Sequence, residues 1–378
     1  MSIKGGTLFD YFSTLPDPRT GNAKRHCFGD IAVISICAVL CGADSFVEIA
    51  AFGKAKKTWL STFLPLPNDI PSHDTFSRVF ALLDPKAFEE LFHSWVLHIV
   101  KELEENTIIA IDGKTVRRSH DRKHDLGPLH LVSAFAVQNG LVLTERAVDT
   151  KSNEMKAIPK LLETLSLKGC IATIDAGGCY KEIVQTVTKQ GGDYVIAVKK
   201  NQSTLLKNIE NLFLTVPKKY EQQTTEIDLS HGRTQQRTCV LVSDIDILNK
   251  FLKTRATWPS IQSVIKIQST RTIRKKITTE SRYYISSIRD SSPQKMLTII
   301  RGHWGIENSL HWVLDIAFRE DESRIRIGHA QENFALLRKI SFNILKRETN
   351  LKIGMKGKRL NAAWDENYLL QLLKMYEV

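Results

Sequence analysis

At 378 residues and 42.9 kDa, the chain is long enough for two or three domains or one elaborated core. With 42% hydrophobic and 25% charged residues, its composition excludes a disordered, collagen-like or coiled-coil polypeptide. The 53 Lys+Arg against 41 Asp+Glu give a net charge of +12, which points to a polyanionic partner, nucleic acid first and an anionic membrane surface second.

The first residues lack the basic start, apolar stretch and cleavage site of a secretory signal, so export is not expected. The longest apolar run, Ile31 to Ala43, falls short of the roughly 20 residues that span a bilayer and reads as a buried helix. The six cysteines (27, 37, 41, 170, 179, 239) contain no Cys-x-x-Cys pair. Reduced thiols in a cytoplasmic protein are expected.

Residues 1–100 read as an N-terminal helical domain: a packed helix over Ile31–Leu40, a second over Phe46–Trp59, then a Pro-rich turn from Leu64 to Pro71. After it, Ser72 to Phe80 offers cap residues followed by Phe76 and Arg78. That segment reads either as the recognition helix of a DNA-binding helix-turn-helix or as one helix of a packing domain. From 101 to 219, short β-rich runs alternate with helices. Strands are expected at Thr107–Ile111, at Leu129–Val137 and Leu141–Ala147 around the Asn139-Gly140 turn, at Cys170–Ile174 and at Tyr194–Val198. Helices over Ile158–Leu165 and Tyr180–Gln190 lie between them, giving a mixed α/β core. Residues 220–292 turn β-rich again, with runs at Arg237–Val242, Ser263–Ser269 and Arg282–Ser287. Helices follow over 293–378: Lys295–Arg301 leading into Trp304–Phe318, then Ala330–Arg347 and Asp365–Met375.

Two carboxylates stand at the ends of the buried strands, Asp112 after Ile111 and Asp175 after Ile174, each with glycine close behind. An acid there is poorly solvated unless it is paired or binds a cation, and ligands favour that edge of an α/β sheet. Glu307 is the third candidate. Ile306, Leu310, Val313 and Ala317 recur on one helical face, and Glu307 borders it. Three such acids converging from two strands and a helix can hold two divalent cations for phosphodiester chemistry, and oxygen ligands favour Mg²⁺ or Mn²⁺. A zinc site from His303, Glu307 and His311 would have to span more than two helical turns, which one tetrahedral ion reaches with difficulty.

At these residues the sequence resembles the DDE transposases of bacterial insertion sequences, in their H-repeat-associated branch. The matching blocks run in order along nearly the whole chain: Leu15–Arg19, Pro71–Phe76, Ala110–Arg117, Lys151–Glu154, Thr173–Ala176, Lys199 with Asn201-Gln202, His231–Arg233, Tyr283–Ser287, His303–Trp312, Phe318–Asp321 and Lys356–Arg359. The resemblance implies a ribonuclease-H-like catalytic core with a β-rich insertion between the second and third acids, and Asp112, Asp175 and Glu307 as its metal-binding triad. It implies Mg²⁺ (or Mn²⁺) as cofactor, double-stranded DNA (transposon ends and target) as partner, a homodimer in the synaptic complex and no membrane. Related transposases carry a Tyr-Arg-Glu-Lys signature around the glutamate; here Ile300, His303 and Leu314 occupy the other three spacings. Gly177 and Tyr180 stand where the branch usually has a bulky residue and a glutamine, and Arg118 and Lys200 where it tends to have glycine.

The expected activity is metal-dependent cleavage at element ends followed by strand transfer; the alternatives are a decayed descendant that binds DNA without cutting, and a nuclease without strand transfer. Lys114 and Lys199, near strand ends, and Arg117 in the first aspartate's block are candidate phosphate contacts. Residues 319–360 hold eleven Lys/Arg against five Asp/Glu, half of the chain's excess, so Arg324, Arg326, Lys356, Lys358 and Arg359 are expected on a DNA-holding surface.

Overall fold

The computed structural model describes residues 8–21, 24–100, 103–121, 127–148, 154–230, 233–273 and 276–374. Residues 151–153 of one matching block and 231–232 of another therefore lie outside the described residues.

Among the described residues, helices come first: α1 (Leu8–Ser13), α2 (Phe28–Leu40), α3 (Phe46–Ala55), α4 (Lys57–Leu60), α5 (His73–Leu82) and α6 (Pro85–Val100). Every residue of α2 is buried, which is why its sequence is apolar all round. The expected helix over Phe46–Trp59 is broken at Lys56 into α3 and α4. α5 starts where the caps place it, with Ser72 Oγ accepting from the Thr75 amide. Its Phe76, Val79 and Phe80 enter the core, Phe80 stacking on Phe46 at 5.7 Å, while Arg78 stays exposed.

Next come β1 (Ile108–Thr115), β2 (His130–Ala136), β3 (Leu141–Val148), α7 (Glu154–Glu163), β4 (Ile171–Ile174), α8 (Lys181–Lys189), β5 (Asp193–Val198) and α9 (Ser203–Thr215). The turn between β2 and β3 is made by Gly140 at φ +66°, a left-handed conformation that favours glycine. Four longer strands follow, β6 (Gln222–Ser230), β7 (Arg233–Val242), β8 (Ser263–Ile273) and β9 (Lys276–Ser286), with α10 (Ile245–Phe251) between β7 and β8. The chain ends in α11 (Pro293–Ile306), α12 (Trp312–Ala317), α13 (Ala330–Arg347), α14 (Met355–Trp364) and α15 (Glu366–Lys374).

The nine strands among the described residues form one mixed sheet in the order β3-β2-β1-β4-β5-β9-β8-β7-β6. β1, β4 and β5 run parallel, and the other neighbours are antiparallel. The β-rich stretch thus extends the central sheet through β9, which pairs with β5. Alternate residues of the parallel strands feed two cores: Ile108, Ile171 and Val195 meet Leu297 and Ile300 of α11 on one face. Ile109, Ile174 and Ile196 belong to the larger core on the other, with Leu161 of α7 and Ile183 of α8. α13 joins that larger core to the N-terminal helices, where Phe334 lies edge-on to Phe46 at 5.4 Å. Among the described residues no helix is long and apolar enough to cross a membrane.

Candidate active site

The register of the sheet places the two aspartates. β1 and β4 pair in parallel from Ile108↔Ile171 to Ile111↔Ile174, so Asp112 and Asp175 are the next residues along neighbouring strands. The sequence suggests that the first strand stops at Ile111. Instead β1 continues to Thr115, because β2 still pairs with it (Asp112↔Ser133, Lys114↔Leu131) after β4 has ended. Asp175 leaves β4 and caps a short turn, its Oδ1 accepting from the Gly178 amide at 3.3 Å.

Glu307 arrives from the face covered by α11. That helix lies close on the sheet, since a Cβ at Gly302 would come within 3.0 Å of Ile108 Cδ1. At Glu307 the helix widens into a π-helical turn over Glu307–His311 before α12 begins. Such a turn adds a residue and rotates everything after it. Leu314 consequently takes the buried position expected for Val313, which is only half-buried, while Ile306, Leu310 and Ala317 stay inside. Glu307 itself is exposed and lines a cleft of about 140 Å³ with Asp175, Lys199, Arg282, His303 and Trp304.

The electrostatics tie the third acid in. The Asp112 carboxyl is pushed up to about 7, first by burial, then by the negative charges of Asp175, Glu307 and Glu154. Glu154, which opens α7, is a fourth acid that sequence reasoning did not single out, although it closes one of the matching blocks. It bonds His130 Nε2 at 2.5 Å, while His130 Nδ1 meets Thr115 Oγ1 at 2.8 Å. A Cβ at Gly113 would overlap both Glu154 Oε1 and His130 Nε2, so a side chain there would have to push this pair aside. The two histidines of the rejected zinc reading diverge: His303 Nδ1 faces Thr173 Oγ1 at 3.1 Å, and His311 Nδ1 faces Asp112 Oδ2 at 3.7 Å. Burial, and then Lys114, holds His311 down at about 4, so it is neutral at physiological pH.

The donor set suits a hard divalent cation: carboxylate oxygens carrying uncompensated negative charge at the end of a parallel strand pair. Among the described residues no three His, Cys, Asp or Glu side chains are gathered closely enough to hold one ion together.

The expected basic contacts divide. Lys199 is exposed and lines the cleft, as well as a neighbouring opening of about 600 Å³ that also contains Asp175. Arg117 is 83% exposed and pairs with Asp321 at 3.1 Å. Arg324 and Lys356 are exposed, and Arg326 is half-buried with its guanidinium donating to the Arg118 carbonyl. Three assignments are corrected by burial. Lys114 is paired internally with Asp315, with Glu320 at 2.8 Å and with Asp321 at 4.0 Å. Lys358 is buried against Glu348 and the Leu345 carbonyl. Arg359 is buried on the Phe318 ring and donates to the carbonyls of Val39 and Ala317. These cations tie secondary-structure elements together; they do not form a phosphate-tracking surface.

Comparison with known proteins follows the same lines. The family description "Transposase DDE domain" matches residues 104–344, which include all three acids, and "DDE_Tnp_1-associated" matches residues 9–96. The H repeat-associated putative transposase YhhI of Escherichia coli K12 is 37% identical over 374 residues, 97% of each chain. The putative transposase YncI of E. coli O157:H7 is 38% identical over 378 residues, 99% of this chain and 95% of its own. A shorter E. coli K12 relative, "Inactive transposase YbfQ", is 36% identical over 72 residues, 19% of this chain and 86% of its own. Among solved structures, the synaptic complex of piggyBac transposase with hairpin DNA covers 97% of this chain and 76% of its own, with a TM-score of 0.46 and 10% identity. On the extent of the DDE-domain match and of the whole-length relatives, this chain belongs to the DDE transposase family, beside the H repeat-associated transposases.

Proposed function

We propose that the chain is an insertion-sequence transposase that binds double-stranded DNA at the ends of its element, cuts it in a metal-dependent reaction and transfers the freed strand to target DNA. The observation that carries this reading is the juxtaposition of Asp112 and Asp175 by strand register, with Glu307 close enough to Asp112 to raise its proton affinity. The sheet supports a ribonuclease-H-like core, with an antiparallel β1-β2-β3 meander joined to parallel β4 and β5 and the acids at the meeting of the two parts.

Asp112, Asp175 and Glu307 would hold the Mg²⁺ or Mn²⁺. When bound, the cation lowers the pKa of the attacking oxygen's proton and stabilises the leaving one. The chain's own residues do the rest. Lys199 offers a positive charge beside Asp175 for a backbone phosphate. His311, neutral and 3.7 Å from Asp112, leaves the negative charge of the acids uncancelled for a cation. Arg117, Arg324, Arg326 and Lys356 remain as candidates for holding flanking duplex, and the helices of residues 1–100 for recognising element ends. Two copies pairing two ends, acting on DNA in the cytoplasm, complete the reading.

The test is cleavage and strand transfer on DNA carrying the element's terminal inverted repeats, with and without Mg²⁺. Asp112→Ala, Asp175→Ala or Glu307→Ala should each abolish cleavage and leave binding largely intact. Retained cleavage removes that residue from the triad. Binding by the unaltered protein with no cleavage selects a descendant that binds without cutting; cleavage without transfer selects a nuclease.

A further inference from the structure

The strands added between the second and third acids do more than widen the sheet. β5 and β9 pair antiparallel with Ala197↔Tyr284 and Val198↔Tyr283. The next residues outward are Lys199 on one chain segment and Arg282 on the other, at the same edge where β4 ends in Asp175. Both cations line the cleft with Asp175 and Glu307, and both line the larger opening beside it. Arg282 is already oriented. Its Nε and a terminal nitrogen reach the two Glu280 oxygens at 2.9 and 3.1 Å, and its guanidinium lies over the Trp304 ring at 5.6 Å. Glu280 is 62% exposed, and its carboxyl is held below the ordinary range by Arg282 first and by Lys199 as well. Two cations thus share one exposed counter-ion directly beside the acids.

We propose that Arg282 is a phosphate-contacting residue of the active site, acting with Lys199 on the DNA strand that enters the cleft, and that Glu280 is its resting counter-ion, displaced by that phosphate. The planar fork that now grips a carboxylate fits two oxygens of a phosphate in the same way. An exposed pair of this kind is weak and readily exchanged, while the ring beneath keeps the guanidinium aimed when its partner leaves. The inference rests on the DNA-processing reading of the site.

The experiment measures binding of a labelled duplex of about 30 base pairs and arbitrary sequence, in EDTA, across a series of salt concentrations. Arg282→Ala should flatten the log–log salt slope by about 0.9, the share of one phosphate contact. Arg282→Lys should keep the slope and bind more weakly than the unaltered protein. Glu280→Gln should tighten binding about twofold to fivefold, the release of one exposed ion pair, and this gain should shrink in the Arg282→Ala background to the part that Lys199 supplies. Thermal melts of each variant show that the sheet has folded. An unchanged slope in Arg282→Ala, or an equal Glu280→Gln gain with and without Arg282, overturns the proposal while leaving the DNA reading standing. No salt-dependent binding by the unaltered protein overturns both.

Discussion

Asp112→Asn should stabilise the protein, and by an amount that depends on pH. The carboxyl is raised from 3.8 to about 7 in the folded state by burial and by three neighbouring carboxylates. Across that window the folded state holds a proton that the unfolded chain has lost, so stability falls as pH rises and levels off above the folded pKa. A shift of about three units at 1.36 kcal/mol each sets a ceiling of about 4 kcal/mol. With 22% of the side chain still in contact with water, about 1–3 kcal/mol is the expected size. Asparagine keeps the shape and removes the charge. Urea unfolding in EDTA, at intervals from about pH 5 to about pH 8, should show the variant's advantage growing with pH to that plateau. Mg²⁺ should shrink the advantage by stabilising the unaltered protein alone. A variant that is less stable at all pH values, or an advantage independent of pH, would refute the claim that Asp112 stands among like charges.

Lys339 is 1% exposed and bridges Glu145 at 3.0 Å and Glu320 at 2.5 Å. Lys339→Met strands both acids without their shared cation and should cost about 3–5 kcal/mol in urea unfolding, whereas a loss under about 1 kcal/mol would show that Lys114 alone neutralises Glu320. The corrected basic residues separate in the same way. Arg359→Ala should lower the melting temperature without changing the salt slope of DNA binding, because it removes donors to the Val39 and Ala317 carbonyls. Lys356→Ala and Arg324→Ala should leave melting unchanged and flatten the slope by about 0.9 each if they meet phosphates.

How much of this was legible beforehand depended on whether the signal was local. The runs 107–111 and 170–174 are apolar apart from Thr107 and Thr173 and each is followed directly by an acid, so the strands and their aspartates could be read directly. The register that sets Asp112 beside Asp175 is a long-range pairing with no local trace. β6 was missed because Gln222–Ser230 is polar apart from Ile227 and Leu229, and both of these are exposed in the folded strand. α14 was missed because Lys356, Lys358 and Arg359 look like a solvated charge run, yet the last two turn inward to carbonyls and carboxylates supplied by distant segments. The π-helical turn at Glu307 escaped for a related reason: helical periodicity presumes a constant turn, and the one added residue exchanges Val313 for Leu314 in the core. In the sequence Arg282 only opens an expected strand; its place in the cleft with Asp175 and Glu307 follows from β9 pairing with β5.

The most direct test of the account is Mg²⁺-dependent cleavage of DNA bearing the element's terminal inverted repeats, comparing the unaltered protein with Asp112→Asn, Asp175→Asn and Glu307→Gln. The account predicts cutting by the unaltered protein, none by any of the three variants, and DNA binding by all four. Undiminished cutting by any one variant would contradict the three-acid site built by strands β1 and β4 and the turn at Glu307.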